Sequence, residues 1–181
     1  MLKSFIRRRI AAFERANNYD MSYAREILDT DLAAFLTFSR IARVGQYRKS
    51  VPPEAWYAAA LVGTLAEDCG PCTQLMVTRA EREGIPAALL AAVLTGDEQA
   101  MPDAVLLAVR FARAVLAHDR QADDLRREVV ARFGRRAVVA LAFAITAARL
   151  FPTVKYALGY GHACTRVQVG GAPLPVIKRA A

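Results

Sequence analysis

At 181 residues the chain is long enough for one domain with a substantial core, and 55% hydrophobic against 23% charged residues excludes intrinsic disorder. Three cysteines are too few and too unevenly spaced for a secreted disulfide framework. The formal charge of +8, from 25 Lys and Arg against 17 Asp and Glu, is spread along the chain with no nucleic-acid reader motif, so no nucleic-acid partner is expected.

The first element is a helix over Leu2 to Asn17, with Ile6, Ile10 and Phe13 on one side. Its basic residues interrupt the apolar ones, so no secretory signal is read there and a cytoplasmic protein is expected. Asp20 or Ser22 caps a second helix to Leu28, and Thr30 caps a third from Asp31 to about Val44. Gly45 to Pro53, with two prolines, reads as a linker that sets residues 1–48 apart as a helical attachment. Glu54 to Asp68 and Thr73 to Glu83 form a helical hairpin, followed by helices from Pro86 to Leu94, Pro102 to Ala117 and Asp123 to Phe133. Arg135 to Leu150 is apolar nearly all round and belongs at the centre of the domain or at a subunit contact. Its longest apolar stretch, Ala137 to Ala148, is interrupted by Thr146 and short of the roughly 18 to 20 residues that cross a bilayer, so no membrane span is expected. Pro152 opens a further short helix, ended by Gly159 and Gly161, and residues 167–181 read as an extended tail. The whole, 1–181, is predicted to be one all-α domain.

The joint of the hairpin carries the chemistry: Cys69-Gly70-Pro71-Cys72. Pro71 suits the first turn of a helix, which puts Cys69 at the helix mouth, where partial positive charge and unpaired N–H groups favour thiolate over thiol. Two thiols on one turn are close enough to form a disulfide, and the loop so closed is too small for the bond to serve stability. The pair is therefore expected to be redox-active and open to a substrate. A thiolate attacks a peroxide oxygen or a partner disulfide, and the second thiol resolves the product into a Cys69–Cys72 bridge. Which sulfur attacks first stays open. Zinc is the competing use, since Cys69, Cys72, His162 and Cys164 are suitable ligands, but the last two stand some ninety residues away. No metal is assigned.

The stretch Ala58 to Gly84, with Glu67-Asp68-Cys69-Gly70-Pro71-Cys72 running into Thr73-Gln74-Leu75-Met76, resembles the carboxymuconolactone decarboxylase and alkylhydroperoxidase D-like family. The resemblance covers residues 53–163 and implies a helical bundle that assembles into homo-oligomers. It implies a small hydroperoxide or protein disulfide as substrate and no bound cofactor. In the redox branch an acid stands twelve residues before the first cysteine and a histidine four after the second. Here those positions hold Tyr57 and Met76. Tyr57, with an ordinary phenol, is a poor base at neutral pH, and Glu67 is the best local replacement as a proton acceptor. Cys69, Cys72 and Glu67 are the candidate catalytic residues. Two other readings compete: a non-redox lactone decarboxylase, and a helical oligomer whose motif has lost its chemistry.

Overall fold

The structure, a computed structural model, describes residues 1–162 and 166–175. Nine α-helices occur among them: α1 (Leu2–Asn17), α2 (Ser22–Thr30), α3 (Leu32–Ile41), α4 (Pro53–Ala66), α5 (Gly70–Arg82), α6 (Ala87–Thr95), α7 (Asp103–Leu116), α8 (Gln121–Phe133) and α9 (Arg135–Ala157). The protein is mostly helical, with a single hairpin of β1 (Arg166–Val169) and β2 (Ala172–Pro175) among the described residues.

Local chemistry sets most helix ends where the sequence places them. Asp31, rather than Thr30, caps α3, its carboxylate accepting from the Ala33 N–H at 2.8 Å. Pro53 sits at the start of α4 with Glu54 in the first turn, where its negative charge is stabilised by the positive end of the helix dipole. α8 begins earlier than Asp123, because the Asp119 carboxylate takes the Gln121 N–H at 2.8 Å.

α4 is the centre of the main core. Every residue from Ala55 to Thr64 is buried, between α9 on one side and α7 on the other. The approach to α9 is close because small residues meet there: a Cβ placed on Gly63 would lie 2.9 Å from Ala148 Cβ and 3.1 Å from the Ile145 carbonyl oxygen.

One expectation is corrected. The helix that was to end near Leu150 runs on through Pro152 to Ala157. The proline removes one backbone hydrogen bond, but both Pro152 and Lys155 are buried in the continued segment. At 23 residues α9 has the length and apolar composition to cross a membrane, although it is the core helix here, packed on α4. Residues 1–48 pack onto the joint of the hairpin. Ile6, Ile10, Tyr19, Tyr23, Ala24 and Leu28 build a second apolar core, and its remaining buried members are Cys69 and Cys72.

The tail, as far as it is described, folds back. Val167 and Val169 are buried against the main core, and Gly170 and Gly171 turn the chain with positive φ. Gln74 on α5 holds β1 like a neighbouring strand: its side chain donates to the Gln168 carbonyl at 3.1 Å and accepts the Gln168 N–H at 2.7 Å. With each such bond contributing about 1 kcal/mol, Gln74→Ala should speed hydrogen exchange at the Gln168 amide at least about tenfold. An unchanged rate would mean that packing alone holds the hairpin.

Candidate active site

The chain leaves α4 by a tight bend. Asp68 takes a left-handed conformation (φ 50°), Cys69 is extended (φ −100°, ψ 98°), and α5 starts at Gly70 with Pro71 in its first turn. The bend is tied to the segment around the end of α9: the Tyr156 hydroxyl donates to the Asp68 carbonyl at 3.0 Å, and the Gly70 N–H donates to the His162 carbonyl at 3.1 Å. The Cys69 carbonyl accepts from both the N–H and the hydroxyl of Thr73, each at 2.9 Å. Cys69 thus stands at the N-cap of α5, as its sequence implies.

Both sulfurs face the second core, and here the structure departs from the expectation of an open pair. Cys69 is fully buried and Cys72 is 6% exposed. Their cover comes from distant parts of the chain. The Tyr19 hydroxyl, between α1 and α2, lies 3.5 Å from Cys72 Sγ. Lys155 Nζ, from the last turns of α9, lies 3.5 Å from the Tyr19 oxygen, 4.7 Å from the Tyr19 ring centre and 5.5 Å from that of Tyr23.

Lys155 is only 1% exposed and forms no ion pair with a carboxylate among the described residues. An uncompensated buried cation costs several kcal/mol, so its neighbours must supply negative charge or dipoles. Tyrosine ring faces supply part of this. The dithiol supplies more, and the Asp20 carboxylate acts on the same charge without forming an ion pair with it. The facing Cys72 thiol holds Cys69 below the usual thiol range, at about 7; burial opposes this, and the Cys72 backbone N–H and the Lys155 charge assist. Cys72 moves the other way, driven far above its ordinary value by Cys69 and then by burial. The pair therefore holds one negative charge readily and two with great difficulty. Burial also raises Tyr19 and Tyr23 well above the ordinary phenol value, which keeps both as neutral O–H donors.

A spectroscopic prediction follows from this asymmetry. In a Cys164→Ser background, which leaves only the pair, thiolate absorbance near 240 nm should appear in two separated steps, the first with a midpoint near pH 7 from one sulfur and the second only in strong alkali. Cys69→Ser should remove the first step. One joint transition above pH 8.5 would contradict the charge distribution described.

The other residues singled out by sequence lie elsewhere. Glu67 turns away from a role beside the thiols: its carboxylate accepts from Arg149 Nε at 2.5 Å and from the Thr153 hydroxyl at 3.1 Å, joining the end of α4 to α9. The Tyr57 hydroxyl donates to Glu83 at 2.6 Å, beside Arg48, at the opposite end of α5. That is about 16 Å along the helix from Cys72. Met76 packs on the main core. His162 contributes its carbonyl to the bend and is exposed, while Cys164 lies outside the described residues. No cluster of three or more His, Cys, Asp or Glu side chains suited to a metal occurs among the described residues.

Tyr19, Tyr23 and Lys155 escaped the sequence reading. Lys155 had a signal: Ala144, Ala148, Pro152 and Lys155 follow at intervals of four, four and three, one helix face, three of them apolar. Reading the helix as ending before Pro152 hid it. Comparison with protein families, curated proteins and solved structures finds no match for this chain.

Proposed function

We propose that this protein is a thiol-dependent oxidoreductase of the alkylhydroperoxidase D-like kind, reducing a hydroperoxide or a disulfide through Cys69 and Cys72 without a bound cofactor. The observation that carries the reading is a pair of thiols at a helix N-cap and its first turn, with Tyr19 and a buried lysine that has no carboxylate ion-pair partner among the described residues gathered over them. A structural pair of thiols has no need of such a neighbour.

The electron count is simple. A thiolate displaces alkoxide from the hydroperoxide and becomes a sulfenic acid; the second thiol then displaces water from it and the disulfide closes. Two thiols and one hydroperoxide give one disulfide, one alcohol and one water. The closed walls favour a small hydroperoxide over a protein disulfide as oxidant, because a protein could not reach Cys69 without displacing Tyr19 and Tyr23. A thiol reductant of a reducing compartment such as the cytoplasm restores the pair.

Self-association belongs to the same reading. Leu36 of α3 and Val139 and Phe143 of α9 are exposed, while Leu32, Phe35 and Phe38 of α3 turn inward onto the second core. Apolar surface of this kind marks an interface. Light scattering should give a mass at least twice 19.8 kDa, and Phe143→Asp should lower it. A monomer at micromolar concentration would remove this part of the proposal.

Burial of both sulfurs and the presence of Met76 favour a second reading, an oligomeric helical scaffold with an inert thiol pair. Titrating reduced protein with hydrogen peroxide separates the two. The enzyme reading expects one equivalent of peroxide consumed for every two thiols lost, with an intramolecular Cys69–Cys72 bond found by peptide mass spectrometry. Thiols that survive excess peroxide for hours would leave only the scaffold.

A further inference from the structure

We propose that Tyr19 and Lys155 are the proton relay of the dithiol, with Cys69 as attacking and Cys72 as resolving sulfur, so that Tyr19 replaces the acid and histidine that the hairpin lacks. The inference rests on the oxidoreductase reading and goes beyond it by assigning the order of attack and the path of the proton.

Donor and acceptor capacity fix the direction of the relay. A lysine ammonium only donates, so the 3.5 Å contact from Lys155 Nζ uses a lone pair of the Tyr19 oxygen. The tyrosine has one proton of its own, and the sulfur of Cys72 lies 3.5 Å away to receive it. Cys72 in turn faces Cys69 across the first turn of α5. The order is therefore Lys155, Tyr19, Cys72, Cys69, with donors at one end and negative charge at the other. The remaining charged or titratable groups that act on this chain are Asp68 in the bend, Asp20 beside Tyr19, and Tyr23 of α2.

This order supplies a proton to each leaving group. The Cys69 thiolate attacks the peroxide; the S–O bond forms, the O–O bond breaks, and the alkoxide leaves with the Cys72 proton. Cys72 is now the thiolate, held by the Tyr19 hydroxyl and the Lys155 charge. It attacks the Cys69 sulfenic sulfur, and hydroxide leaves with the Tyr19 proton, which Lys155 replaces. The products are a disulfide, an alcohol, water and a neutral lysine. Net charge in the buried site is zero before and after, so oxidation strands no cation inside the protein.

Peroxide oxidation is followed in three variants. Tyr19→Phe keeps the ring and removes the donor. Cys69 sulfenic acid should then accumulate, be trapped by dimedone, and close to the disulfide at least tenfold more slowly than in the parent protein. Lys155→Arg keeps the charge but cannot release a proton. It should retain the near-neutral midpoint of the first thiolate step yet slow closure tenfold or more. Lys155→Met should raise that midpoint and slow closure as well. Closure at the parent rate in both Tyr19→Phe and Lys155→Arg would overturn the relay, and trapping on Cys72 instead of Cys69 would overturn the order of attack. Circular dichroism checks folding, and Tyr19→Phe, which leaves the packing intact, decides the matter if the lysine variants unfold. Failure of the parent protein to form any disulfide would instead defeat the oxidoreductase reading itself.

Discussion

Cys69→Ser should abolish peroxide consumption, by at least about 1,000-fold, while leaving the fold intact or slightly stabilised. The loss follows from chemistry: the thiolate is the nucleophile, and a serine hydroxyl without an adjacent general base is almost wholly protonated at neutral pH. The retained stability follows from position. Cys69 is the N-cap of α5, and the Cys72 N–H that acts on its sulfur does not reach ordinary capping hydrogen-bond geometry, so a smaller, harder oxygen can cap better. Serine is among the favoured N-cap residues, and its oxygen can accept the N–H of Cys72, the third residue of the helix. Pro71 has no N–H to offer, so Cys72 is the one available donor in that part of the turn. The expected gain is up to about 1 kcal/mol, offset in part by burying a more polar group. Thermal unfolding and a peroxide assay on the same preparation test both halves. Activity within tenfold of the parent would remove Cys69 from the reaction, whereas a dead and unfolded variant would mean that the thiol is chiefly structural.

Cys72→Ser separates the two sulfurs. The first attack survives in it, one thiol is lost per peroxide instead of two, and the sulfenic acid waits for an external thiol. Equal and complete loss in both variants, with no sulfenic acid trapped in either, would assign the pair a shared role other than attack and resolution.

Gly63→Val should be the most damaging core substitution, costing about 3 kcal/mol or more. Two effects compete at this position. Glycine inside a helix is about 1 kcal/mol worse than alanine, so adding a side chain to α4 gains helix propensity. Against this, a Cβ at residue 63 meets Ala148 Cβ at 2.9 Å and the Ile145 carbonyl oxygen at 3.1 Å. Alanine's methyl group already meets both atoms, and neither sits on a flexible side chain, so the strain outweighs the propensity gain and Gly63→Ala should itself cost about 1 kcal/mol. Valine adds two γ-carbons in a restricted rotamer, and overpacking of this degree typically costs 1–3 kcal/mol before the unfavourable helix rotamers are counted. The contact opposite residue 63 is made by α9, whose later turns carry Lys155, so the thiol titration should change together with stability. Ala148→Gly should recover part of the loss, since it removes one of the two obstructing atoms and leaves the carbonyl. Urea unfolding of the single and double variants measures this. A parent-like midpoint for Gly63→Val would show that the two helices are free to separate.

The sequence alone was sufficient for the all-helical character, because each helix carries its own apolar spacing and its own start and stop residues. It was also sufficient for Cys69 at the mouth of α5, since Pro71 and the preceding helix act within a few residues of it. Local signals failed where two interactions competed. Pro152 is a reliable breaker in isolation, yet burial of the segment around it kept α9 continuous. Gln74 looks like any exposed helix residue until a strand from the tail lies beside it.

Only tertiary structure could determine what surrounds the thiols. Tyr19 and Lys155 are 136 positions apart and meet over Cys72 because the N-terminal helices and the end of α9 cover the same apolar face. The same packing buries both sulfurs and draws Glu67 onto Arg149 and Thr153. A motif states which groups are present and how the first turn of a helix orients them. The dielectric, the neighbouring charge and the access that decide its reactivity come from long-range contacts, which no window of consecutive residues contains.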